Sequence, residues 1–106
     1  MGEKSFVIFV GDSNLDRYRF FCSTDRGRVR LFVVQYEAFI DGAWHAIVRY
    51  DTAHEFPHRD LMHPRSATEK TNYPSRSNAE VLTLGQEDIK KNWQAYRERY
   101  EKELSE

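Results

Sequence analysis

Three of the four histidines in this 106-residue chain lie between positions 54 and 63, in the stretch Arg49-Tyr50-Asp51-Thr52-Ala53-His54-Glu55-Phe56-Pro57-His58-Arg59-Asp60-Leu61-Met62-His63-Pro64. An imidazole titrates close to neutral pH, so two of them can divide acid and base work. One can take the proton of a ribose 2′-hydroxyl while the other protonates the departing 5′-oxygen, with a guanidinium steadying the charge on the phosphate. In that chemistry His54 and His58 are the base and acid in either order, and Asp51 orients an imidazole. Arg49, Arg59 and Lys70 bind the phosphate. Arg59 ranks first among these cations because a bidentate guanidinium fits phosphate better than an ammonium does. Such cleavage is metal-independent and needs no cofactor.

Two other readings fit the same residues. His54, His58 and His63 could ligate a metal with help from Asp51 or Asp60, although Pro57 keeps His54 and His58 from sharing a regular helical turn. Alternatively the imidazoles serve polar turns and the charges are solvated, as most surface ion pairs are. A further class is a non-enzymatic domain whose aromatic helix or exposed strand edge docks another protein.

Several classes are excluded by composition. Apolar residues make up 40% and charged residues 31%, a balance that folds rather than remaining disordered. The formal net charge of −1 argues against broad phosphate neutralisation, so any RNA contact is small and local. A basic stripe does run through Arg17, Arg19, Arg26, Arg28 and Arg30. The single cysteine, Cys22, rules out an internal disulfide and a paired-thiolate zinc site. The longest apolar run, Phe6 to Val10, is too short for a membrane span or a signal peptide, and the expectation is a cytoplasmic protein with no membrane partner.

The elements that must position these residues follow from turn chemistry and periodicity. Strands are expected at Phe6 to Val10, Tyr18 to Cys22, Val29 to Ile40 and Ala43 to Tyr50, with a short one at about Ala67 to Thr71. Asp41-Gly42 signals a two-residue type I′ hairpin. That turn sets Phe39 opposite Trp44, Gln35 opposite Val48 and Val33 opposite Tyr50. This face is expected to meet the helix, leaving Arg49 and Asp51 on the other side unless a bulge exchanges the faces. Thr83-Leu84-Gly85-Gln86 has the spacing of a capping box. After it, Ile89, Trp93, Tyr96, Tyr100 and Leu104 form an apolar helical stripe. The expectation is a single α+β domain over residues 1–106, an antiparallel sheet of four or five strands with one C-terminal helix across a face.

The segment Val48-Arg49-Tyr50-Asp51-Thr52-Ala53-His54, continuing to Pro57-His58-Arg59-Asp60, resembles the TumE-type toxins of toxin–antitoxin modules and related small prokaryotic proteins. The likeness covers about residues 30–71. It implies a small RNA-directed toxin with a cognate antitoxin as partner, and by motif position it points to Arg49, Asp51, His54, His58 and Arg59. Met62-His63-Pro64 and the stretch from Ser66 to Ser77 depart from that pattern. Oligomeric state is left open.

Overall fold

The computed structural model describes residues 1–53 and 56–106. Its strands are β1 (Gly2–Phe9), β2 (Asp16–Asp25), β3 (Arg28–Ile40), β4 (Ala43–Asp51), β5 (His58–Leu61) and β6 (Glu69–Asn72), followed by one helix, α1 (Asn78–Leu104). The strands pair antiparallel in chain order. The fold is α+β with one C-terminal helix packed on an antiparallel sheet, and the sheet has six strands rather than four or five. The additional strand is β5, whose sequence His-Arg-Asp-Leu shows no run of apolar residues. It forms because β4 on one side and β6 on the other pair with its backbone. Among the described residues, no helix is long and apolar enough to cross a membrane.

The hairpin turns follow residue chemistry. Asp41 and Gly42 take φ of 51° and 83°. These are the paired positive values that a type I′ turn needs. Arg26-Gly27 does the same between β2 and β3. Phe39 accordingly pairs with Trp44 and Ala38 with His45. Beyond Glu37 and Ala46 the register shifts by one: Tyr36 pairs with Val48, Gln35 with Arg49, Val34 with Tyr50 and Val33 with Asp51. Ile47 is the extra residue of this bulge, and its carbonyl accepts from Met62 N at 3.0 Å.

The bulge corrects the expected faces. Val48 and Tyr50 do meet the helix, but alongside Phe32, Val34 and Tyr36 of β3 rather than Val33 and Gln35. Phe39 and Trp44 lie on the outer face, away from the helix, where Trp44 packs at 5.3 Å from Phe39 and 6.3 Å from Phe9. The core joins Tyr18, Phe20, Phe32, Val34, Tyr36, Val48 and Tyr50 of the sheet to Val81, Leu82, Ile89 and Tyr100 of α1.

The helix begins before the expected capping box. Ser77 is the N-cap. Its Oγ accepts from Glu80 N at 3.1 Å, and its own N–H donates to Glu80 Oε1 at 2.9 Å, the reciprocal pair that defines a capping box. Thr83 and Gln86 lie inside the helix. Gly85 allows α1 to close on the sheet, since a Cβ built there would sit 2.8 Å from Tyr50 Cγ. The stripe from Ile89 to Leu104 packs on the sheet as its spacing predicts.

Candidate metal centre

The side chains of a strand alternate between faces, so Arg49 and Asp51 of β4 share the outer face, and their cross-strand partners Asp60 and His58 share it with them. Three of the four are buried: Asp51 at 5%, His58 at 1% and Asp60 at 8% exposure. One ligand atom from each of these three can be chosen so that all lie within 4.8 Å of one another. His58 Nε2 is 3.0 Å from Asp51 Oδ1 and 3.5 Å from Asp60 Oδ2. Asp51 Oδ1 also accepts from Ala53 N at 3.0 Å.

The other ring nitrogen determines what Nε2 can do. His58 Nδ1 faces the Phe56 carbonyl at 3.2 Å. A carbonyl only accepts, so Nδ1 carries a proton. In the neutral ring Nε2 therefore presents its lone pair to two carboxylates. A cation between the groups would stabilise that arrangement. Metal-bound histidines commonly donate their other N–H to a carbonyl in this way.

Arg49 is close without closing the cluster. Its Nε donates to Gln35 Oε1 at 2.7 Å and lies 3.9 Å from Asp51 Oδ2, and its Nη1 is 3.9 Å from Asp60 Oδ2. Asp60 Oδ1 is buried with no hydrogen-bond partner among the described residues. A buried carboxylate oxygen in that state is costly, and a bound cation would relieve it.

The residues expected to form one cluster are divided. Arg59, next to His58, faces the helix. Its Nη2 donates to Tyr96 Oη at 2.9 Å, and its guanidinium carbon is 5.6 Å from the centre of the Tyr96 ring. Tyr96 and Tyr50 both donate to Asp88, Tyr50 at 2.7 Å. Burial, reinforced by the Asp88 carboxylate, drives the Tyr50 phenol far above its ordinary range. Arg59 is thus separated by the sheet from the site at which it was expected to hold phosphate, because adjacent strand residues point in opposite directions.

Lys70 pairs with Asp60 and shares the outer face, where it is exposed. His54 lies outside the described residues.

His63 does not join His58. Its Nδ1 lies 2.6 Å from Glu103 Oε1 of α1 and its Nε2 2.5 Å from Glu69 Oε2 of β6. Those two contacts raise its pKa above the ordinary value. Nearby, Arg99 Nη2 donates to the Met62 carbonyl at 3.1 Å, and Arg65 donates to the last carbonyls of the chain, at Leu104 (2.8 Å) and at Glu106. The stretch from Met62 to Glu69 thereby straps the end of α1 and holds His63 away from His58, and among the described residues the cluster is one histidine with two aspartates.

Sequence reasoning did not anticipate the support given by Gln35 and the Phe56 carbonyl. A signal for the site itself was present: Arg49-x-Asp51 and His58-x-Asp60 are two pairs spaced by two, as facing strands would carry them.

Over residues 1–106 the chain matches the family described as a domain of unknown function (DUF7718). It belongs to that family. No curated protein and no solved structure matches it. Membership in DUF7718 carries no stated activity.

Proposed function

We propose that this domain binds a divalent transition-metal ion through Asp51, His58 and Asp60. The observation that carries the proposal is the Phe56 carbonyl on His58 Nδ1, which commits that nitrogen to a proton and turns Nε2 toward two buried carboxylates. One imidazole with two carboxylates suits Zn²⁺, Mn²⁺ or Fe²⁺ better than the all-oxygen shells of Ca²⁺ and Mg²⁺. Three protein ligands also leave coordination positions for water or substrate, the pattern of catalytic rather than structural sites.

The metal-independent, toxin-like ribonuclease with a cognate antitoxin, which the resemblance implies, draws less support. It needs two titrating imidazoles and a guanidinium around one phosphate, yet His58 is closed from solvent and Arg59 stands behind the sheet. An aromatic helix face that docks a partner is likewise less supported, since Trp93, Tyr96 and Tyr100 are engaged with the core.

Calorimetric titration of chelator-treated protein with Zn²⁺ and Mn²⁺ tests the proposal. One equivalent should bind, and Asp60→Asn should weaken binding by at least about tenfold, while His63→Gln leaves it unchanged. Absence of binding, or equal binding by Asp60→Asn protein that melts as a folded domain, overturns it.

A further inference from the structure

We infer that the outer face beside the cation site binds a single-stranded polynucleotide, with a backbone phosphate at the ion and Arg49 and a base against Phe21. The inference rests on the proposed cation site and names what that site would act on.

Register places the groups. One row across the sheet runs Val7, Arg19, Gln35, Arg49, Asp60 and Lys70. Neighbouring strands are about 4.8 Å apart, so Arg19 on β2, Arg49 on β4 and Lys70 on β6 recur roughly every 10 Å. Arg49 keeps 35% of its side chain exposed and Arg19 51%. The row beside it carries Phe21, Val33, Asp51 and His58. Val33 therefore adjoins the cation ligands, and together with Val7, Arg19 and Phe21 it lines a shallow apolar hollow of about 380 Å³.

On the other side of the Arg19 row, Arg17 lies with its guanidinium carbon 3.7 Å from the centre of the Trp44 ring, next to Phe9 and Phe39. Aromatic surface thus borders the basic row on both sides, and spaced cations flanked by stacking platforms are what single-stranded chains use.

The charge balance makes the ion part of the binding surface. Glu37 holds Arg17 at 2.7 Å and Arg19 at 3.0 Å, and Asp51 and Asp60 face Arg49. These carboxylates offset the basic groups until a divalent ion adds two positive charges between Asp51 and Asp60. Phosphate oxygens can then meet the ion and the Arg49 guanidinium together. A duplex demands a broader basic surface than a chain of net charge −1 offers.

The test is fluorescence anisotropy of a labelled single-stranded RNA of about ten nucleotides, with Mn²⁺ or with EDTA, next to calorimetry of Mn²⁺ binding by the same protein. Binding is expected in Mn²⁺ and should weaken at least tenfold in EDTA. Phe21→Leu and Arg19→Gln should each weaken RNA binding several-fold in Mn²⁺ while the calorimetric Mn²⁺ affinity stays as in the parent. Protein that holds Mn²⁺ but does not bind RNA, or binds it equally in EDTA or with both substitutions, overturns the inference and leaves the cation site standing. Protein that takes up no Mn²⁺ removes the cation site first and this inference with it.

Discussion

His58 and Arg59 are consecutive in the chain and stand on opposite sides of the sheet, His58 between Asp51 and Asp60 and Arg59 under Tyr96 of the helix. Arg59 is therefore a link between sheet and helix. Arg59→Ala should cost about 1.5–3 kcal/mol of stability, the range for a hydrogen bond from a charged donor. Zn²⁺ affinity should stay within roughly twofold of the parent, as independent sites do. Urea unfolding and calorimetry on the same preparation check both, and a collapse of Zn²⁺ binding in a stable variant would place Arg59 with His58 after all.

Gly85 should resist the substitution that helices ordinarily welcome. Alanine inside a helix gains up to about 1 kcal/mol over glycine. Here its methyl group would meet the Tyr50 ring at 2.8 Å, and Tyr50 is fixed by its bond to Asp88. Overpacking of that kind costs about 1–3 kcal/mol, so Gly85→Ala is expected to be destabilising on balance. A raised unfolding midpoint would show that the helix can move off the sheet at no cost.

The two capping signatures near the start of α1 can be separated by paired mutations. Ser77 Oγ is the acceptor for Glu80 N. Removing it in Ser77→Ala should lose about 0.5–2 kcal/mol, the range for a lost N-cap. Thr83 is an exposed residue inside the helix. Thr83→Ala should accordingly stay within about 0.5 kcal/mol of the parent, as surface substitutions usually do. Chemical denaturation distinguishes them, and the reverse order of effects would put the helix start at Thr83.

The strap around His63 should tighten on mild acidification. Glu103 and Glu69 raise the His63 pKa above its ordinary 6.5. Its contribution is therefore complete below that value and is lost as pH rises through the raised one. His63, followed by Arg99, lowers the Glu103 pKa below its ordinary 4.5. That contribution is present above the ordinary value and is lost as pH falls through the lowered one. The difference in melting temperature between the parent and His63→Gln should thus be largest at about pH 5–6 and shrink by about pH 9. A constant difference over that range would falsify the doubly bonded imidazolium.

The legible parts of the fold were those specified by local chemistry. Asp41-Gly42 marked its turn because those residues tolerate positive φ, and the spacing from Ile89 to Leu104 marked the helical stripe. The true start of α1 was also written in the chain. Ser77-x-x-Glu80 is a capping box, and Val81, Gly85 and Ile89 extend the stripe at intervals of four. What competed with it was a second, equally spaced box at Thr83 and Gln86. β5 was not legible, because four largely polar residues become a strand only through backbone pairing on both sides. The site was legible in its residue types and not in its membership. Asp51, His58 and Asp60 stood out as chemistry, but whether Arg59 joined them depended on strand alternation that could be applied only once β5 was known to exist.

The Ile47 bulge imposes a parity on the β3–β4 hairpin. Downstream of it, odd-numbered residues of β4 supply Arg49 and Asp51 to the outside while even-numbered ones supply Val48 and Tyr50 to the interior. Pairing all of β4 with β3 without the bulge would set Val48 opposite Gln35, send carboxylate and guanidinium inward and turn the tyrosine out to water. Loss of Ile47 itself would leave Tyr36 opposite Val48 and every face unchanged, so a one-residue deletion is tolerable at the bulge.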